Sequence, residues 1–179
     1  MSELDFDQLL EINCFDRDAS RRARAAELLE WRYCAEIRCG AMDRSVRFAH
    51  HARGCTVVAA KLSSGVVIFQ NVTIGSNLRY SHLNERWENI GSPILAENVI
   101  IADGAKILGP IVIGANTVIG AGAIVTKDVP GNAVAYGVNH FKPRDPDHDL
   151  VFGSAMISGE QIMAVDRQRV ERFNAATTR

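Results

Sequence analysis

Branched aliphatic residues recur every six positions through the second half of the chain: Leu95, Ile101, Ile107, Ile113, Ile119 and Val125. The residue after each is mostly small (Ala96, Ala102, Leu108, Gly114, Gly120, Thr126). The fourth residue after each is small or β-branched (Val99, Ala105, Ile111, Thr117, Ala123, Val129). A period of six fits neither the 3.6-residue repeat of a helix nor the alternation of a simple strand. It predicts a solenoid of short strands and tight corners, in which three six-residue segments close one coil. The aliphatics then stack as a ladder inside a triangular prism, and small residues beside them let the backbone turn.

The same period appears earlier in another register, at Leu62, Ile68 and Ile74. From Ile74 to Leu95 is 21 residues, not a multiple of six. A segment must be extruded there, and the polar stretch 76–92, with Tyr80 and Trp87, fits that role. Loops thrown out of a rigid solenoid commonly carry function, which makes 76–92 a lid or acceptor-site candidate or a contact between subunits. Before the repeats, residues 1–34 are charged and helix-prone. Ser20–Tyr33 contains neither Gly nor Pro, and Leu9, Leu10 and Ile12 indicate a short helix ahead of it, together a packing or capping arm. After Pro130 the repeats fade, and Phe141–His148 is a proline-punctuated exit. Residues 158–175, with Ile162, Met163, Val165, Val170 and Phe173, predict one amphipathic closing helix. The predicted division is thus a helical arm (1–34), a solenoid (35–140) and a tail with a helix (141–179).

The chain has 179 residues, with 20 Lys and Arg against 21 Asp and Glu, a net charge of −1. This balance offers no electrostatic footprint for nucleic acid or an anionic membrane. No run of 18 apolar residues occurs, and the acidic start lacks a signal-peptide pattern. A soluble, cytoplasmic protein is expected. Its four cysteines, Cys14, Cys34, Cys39 and Cys55, have no metal-type spacing and are expected as buried free thiols.

Several stretches resemble the hexapeptide-repeat acyltransferases, and within them the serine O-acetyltransferase-like branch. These are Ile68-Phe-Gln-Asn-Val-Thr-Ile-Gly75, Ile101-Ala-Asp-Gly-Ala-Lys-Ile-Leu-Gly109, Ile119-Gly-Ala-Gly-Ala123 and Asp128-Val-Pro130 with Tyr136-Gly-Val138. The resemblance implies a mainly β fold, a left-handed parallel β-helix, and a homotrimer with active sites between neighbouring prisms. It also implies acetyl-CoA as co-substrate, no metal, and a His general base. That base falls in Phe48-Ala-His-His-Ala-Arg-Gly54: the local His-Ala-x-Gly pattern favours His51, and counting back from Gln70 favours His50. A histidine, with an ordinary pKa of ~6.5, suits removal of a hydroxyl proton as oxygen attacks a thioester. Adjacent residues on a strand face opposite ways, so at most one of the two can enter a given site. Glu36, 15 residues before His51, stands where the family places the acid that orients the base. Against that role stands the reading of Glu36 as a surface residue with Arg38 as its neighbour.

The family's second His precedes the proline that restarts the coil. Here that proline is Pro93 and Ser92 precedes it, leaving His82 in the loop as a substitute. Arg79 and Arg86 are candidates to meet an acidic acceptor or the CoA phosphates. The pantetheine arm is expected along Ala102, Asp103, Gly104, Gly120 and Ala121, with Asp103 replacing a small residue. Lys142 and Arg144 are expected at the 3′-phosphate, although Asn139 replaces the usual closing Pro. His50 stands where serine acetyltransferases hold an Asp that contacts the amino acid. The chain ends Thr-Thr-Arg, without the terminal Ile that a cysteine synthase captures, so no such complex is expected. The leading expectation is acetyl-CoA-dependent O-acetylation of a small hydroxylated acceptor, either an amino acid such as serine or homoserine or a sugar hydroxyl. The rivals are N-acylation of an amino sugar and a non-catalytic trimeric scaffold. A three-histidine metal site of the γ-carbonic anhydrase kind fails, because His50, His51, His82, His140 and His148 are not spaced one coil apart.

Overall fold

The computed structural model describes residues 4–145, 147–148 and 157–177. Its repeats close into a parallel β-solenoid whose inward residues form three ladders of five rungs. The first face stacks Ile37, Val57, Ile74, Ile107 and Val125. The second stacks Met42, Leu62, Leu95, Ile113 and Val129. The third stacks Phe48, Ile68, Ile101, Ile119 and Ala135. The predicted aliphatics from Leu95 to Val125 are all at most 1% exposed, so the six-residue period is the period of the core. Each such side chain contributes roughly 1.5–3 kcal/mol by leaving water. The strand His140–Pro143 folds back antiparallel on Ala133–Tyr136, so the expected exit begins as sheet.

The helical arm comprises α1 (Phe6–Phe15) and α2 (Ala19–Tyr33). Asp5 and Gln8 form a reciprocal capping box on α1, and Asp18 caps α2 by accepting from the amides of Ser20 and Arg21. Phe6, Leu9, Ala25 and Leu29 join the same buried core as the first coil, and Asn13 Nδ2 donates to Ile37 O at 2.9 Å. The arm therefore caps the apolar end that a solenoid would otherwise leave in water.

Segment 76–92 forms a hairpin, Leu78–Ser81 paired with Arg86–Asn89. It leaves between the first and second faces of the third coil. Hydrogen bonds from Asn77 N to Gly91 O (3.2 Å) and from Ile90 N to Asn77 O (3.1 Å) close its base. Of the cysteines, Cys55 is buried, Cys14 and Cys39 are half-buried, and Cys34 is exposed. Cys34 departs from the expected burial because it ends α2 in the left-handed conformation, with φ 52°. Residues 1–149 and 150–179 are separate compact units. The second contains α3 (Gly159–Thr177), capped by Ser158 and Gln161, with Ile162, Met163, Val165, Val170 and Phe173 exposed. Among the described residues, no helix is long and apolar enough to cross a membrane.

Candidate functional site

Most corners of the prism take six residues from rung to rung, but Phe48 and Val57 are nine apart. The extra length is the turn Ala49–Ala52 and the residues after it. His50 (φ 52°, ψ 34°), His51 (φ 56°, ψ 38°) and Ala52 (φ 53°) are three consecutive non-glycine residues in the left-handed region. Each costs about 1–2 kcal/mol relative to ordinary backbone. Such a run persists only where its surroundings over-determine it, and strain of this kind concentrates at functional sites.

The surroundings are on hand. Ala52 is fully buried, Cys55 N donates to Ala52 O at 2.9 Å, and Asn71 N donates to Arg53 O at 2.9 Å. Gly54 N reaches Tyr33 O at 3.4 Å, which ties the corner to the end of α2. Cys55 Sγ donates to Phe69 O at 3.1 Å, and burial pushes its thiol pKa up. Both imidazoles are exposed and they diverge. The His51 ring lies 5.5 Å from Phe6 and 5.8 Å from Tyr33, against the helical cap. The His50 ring lies 6.3 Å from Phe69, toward the next coil. Glu36 N donates to Cys55 O at 2.9 Å, so the acid's strand abuts this corner. Its carboxylate meets Arg38 Nε at 3.1 Å, and among the described residues no hydrogen bond joins Glu36 to His51.

The same edge of the prism continues through Phe69–Asn71, Ala102–Gly104 and Gly120–Gly122. Gly104 N donates to Gln70 O at 3.1 Å, and Gly122 N donates to Asp103 O at 2.8 Å. The structure thus aligns Ala102, Asp103, Gly104, Gly120 and Ala121 on the edge that carries the histidines. The Asp103 carboxylate accepts from Asn71 Nδ2 at 3.0 Å. A Cβ placed on Gly122 (φ 65°) would meet no atom within 4 Å, so this edge is open to a ligand. Gln70, which the sequence offers only as part of a motif, has a buried Oε1 that accepts no hydrogen bond among the described residues.

The remaining candidates lie elsewhere. Arg79, Arg86 and Trp87 line an open cleft of about 720 Å³ on the hairpin, where Arg79 Nε sits 3.4 Å from Glu88 Oε2. His82 packs edge-on to Tyr80 at 5.3 Å, and Ser92 is half-buried at the hairpin's return. The hairpin leaves the edge between the first and second faces, whereas the histidine corner joins the third face to the first. One prism therefore does not bring the two together at one edge. Lys142, on the strand beside Val134, is exposed. Arg144 Nη1 donates to Asn116 O at 2.7 Å, on the edge between the second and third faces, away from Ala102–Gly104.

Comparison with known proteins agrees with this architecture. Residues 92–127 match the family model for the bacterial transferase hexapeptide (six repeats). A serine acetyltransferase of Mycobacterium tuberculosis is 36% identical over 126 residues, 69% of this chain and 52% of that protein. The serine acetyltransferase of Synechococcus elongatus is 36% identical over 104 residues, 58% of this chain and 40% of that protein. A solved serine acetyltransferase in complex with cysteine superposes with a TM-score of 0.60 at 29% identity, covering 74% of this chain and 54% of that one. Another, in complex with CoA, gives 0.56 at 26%, covering 72% and 51%. The chain spans about half or less of the length of these curated relatives. In its repeat, its sequence and its fold, the chain is similar to the hexapeptide-repeat acyltransferases, on their serine acetyltransferase branch.

Proposed function

We propose that this protein is an acetyl-CoA-dependent O-acetyltransferase acting on a small hydroxylated acceptor, an amino acid of the serine or homoserine kind or a sugar hydroxyl. The observation that carries this reading is the strained His50–His51–Ala52 run on the open, small-residue edge of the solenoid. Similarity to serine acetyltransferases, one of them solved with CoA, supports the donor. His51 is the preferred base: it takes the hydroxyl proton as the acceptor oxygen attacks, with His50 as the alternative. Glu36 is the acid that fixes the tautomer of the base, a role it takes by giving up Arg38.

Acetyl-CoA supplies an acyl group activated as a thioester. The residues present fit it, because the edge from Ala102 to Ala121 is open at Gly122 and the Asp103 carboxylate is held by Asn71. Ala102, Asp103, Gly104, Gly120 and Ala121 would hold the pantetheine arm, and Lys142 would meet the phosphates. Arg144 joins it only by leaving Asn116 O.

A homotrimer belongs to the same reading. The hairpin and the histidine corner leave one prism by different edges, so the acceptor residues Arg79, His82, Arg86 and Ser92 would come from a neighbouring copy. The protein would act in the cytoplasm. The hairpin's exposed Tyr80 and Trp87 favour a ring-bearing acceptor, which keeps N-acylation of an amino sugar as a second reading.

A thiol-release assay with acetyl-CoA and a panel of serine, homoserine and nucleotide-sugar acceptors tests this. Acceptor-dependent release of CoA is expected, and it ranks the acceptors. Silence with no CoA binding would leave a non-catalytic scaffold.

A further inference from the structure

Among the residues along the histidine edge, Gln70 stands out for a buried acceptor that no described residue satisfies. A carbonyl oxygen removed from water without a donor costs about 1–3 kcal/mol, so native proteins rarely leave one orphaned. The backbone bonds around Gln70 place the residue, whose Oε1 is closed to solvent, between two corners of this edge. On one side is the histidine corner, through Asn71 N to Arg53 O (2.9 Å) and Cys55 Sγ to Phe69 O (3.1 Å). On the other is the Ala102–Gly104 corner, through Gly104 N to Gln70 O (3.1 Å). Gln70 therefore sits between the candidate base and the path proposed for the pantetheine arm. Its neighbours are already committed, Asn71 to Asp103 and the Gln70 backbone carbonyl to Gly104, so the side-chain Oε1 is the acceptor still to be matched.

We propose that Gln70 Oε1 accepts the amide N–H of the cysteamine end of the pantetheine arm, the N–H nearest the thioester. This rests on the acyl-CoA reading above and deepens it. An arm running from Ala121 toward the histidines must pass the Gln70 level before its thioester reaches the base. A neutral amide suits the position, because it accepts from an N–H without placing a second negative charge beside Asp103. The hydrogen bond registers the arm along the edge and so places the acyl carbon at the histidine corner.

Calorimetric titration of CoA, and separately of adenosine 3′,5′-bisphosphate, into wild type and Gln70→Leu tests the assignment without turnover. The bisphosphate is the adenosine half of CoA without the arm. Gln70→Leu is expected to weaken CoA about 3- to 10-fold, the worth of one such hydrogen bond, and to leave the bisphosphate unchanged. Equal CoA affinity in wild type and Gln70→Leu overturns the assignment, as does an equal loss for both ligands. If Gln70→Leu fails to fold, Gln70→Ala supplies the same contrast. Wild type that binds no CoA overturns the acyl-CoA reading itself, an outcome distinct from the other two.

Discussion

Two edges of the same prism solve the same turning problem alike, except at one corner. Between the second and third faces, each left-handed position is a glycine or an asparagine: Gly65, Asn98, Asn116 and Asn132. The asparagine amides bond along the stack, Asn98 to Asn116 at 3.1 Å and Asn116 to Asn132 at 3.3 Å. Asparagine tolerates this backbone, and its side chain repeats the ladder, so propensity, geometry and hydrogen bonding agree. Between the third and first faces Asn71, Gly104 and Gly122 keep that rule, but the first corner carries His50, His51 and Ala52 in the same region of backbone space, one coil from Gln70. Local rules broken at one place in an otherwise consistent repeat mark a site kept for something other than stability.

The strongest test of that contrast is catalytic. His51→Ala is expected to lower turnover by about 10²–10⁴ while CoA binding persists, as measured by thiol release and calorimetry. Near-wild-type turnover would move the base to His50. His51→Gly should lose the same activity yet raise stability in denaturant by about 1 kcal/mol, since glycine relieves a positive φ. At the other edge the signs reverse. Asn116→Ala should leave turnover intact and cost about 2 kcal/mol, because alanine keeps the strain and loses both ladder bonds. If both substitutions moved stability the same way, the two edges would not differ as described.

Excision of residues 77–91 sharpens the comparison from a third edge. It restores the six-residue spacing from Ile74 to Leu95, and the Asn77–Gly91 bond shows that the cut ends are adjacent. The solenoid is expected to keep its melting temperature within a few degrees, about the effect of 1 kcal/mol. Use of the acceptor should disappear. A collapse of the fold on excision would make the hairpin structural.

A further test is alkaline. Burial pushes the Cys14 thiol from 9.0 up to about 12, so the native state holds its proton where the unfolded chain releases it. Its contribution is intact below pH 9 and is lost as pH rises toward 12, on the order of 1 kcal/mol per pH unit. Cys14→Ala should flatten the alkaline limb of a stability profile. Cys34, exposed at the end of α2, should be alkylated first of the four thiols, which mass spectrometry of labelled protein reads directly.

The sequence by itself determined the solenoid, because a six-residue aliphatic period has one economical packing and each rung is a local choice repeated. It also determined the helical arm, through the helix formers of 20–33 and the aliphatics Leu9, Leu10 and Ile12, and the place where a segment must leave the coils. The histidine pair was legible as a candidate for chemistry. Its strain was not, since nothing in Ala-His-His-Ala announces three left-handed residues; the buried Ala52 and the end of α2 impose them. Only the tertiary structure separated the hairpin from the histidine edge, sent Arg144 to the asparagine edge, and set Glu36 against Arg38. It also left Gln70 without a donor. A repeat fixes what stacks within an edge, whereas which edge a residue occupies depends on residues added at corners one or two coils away.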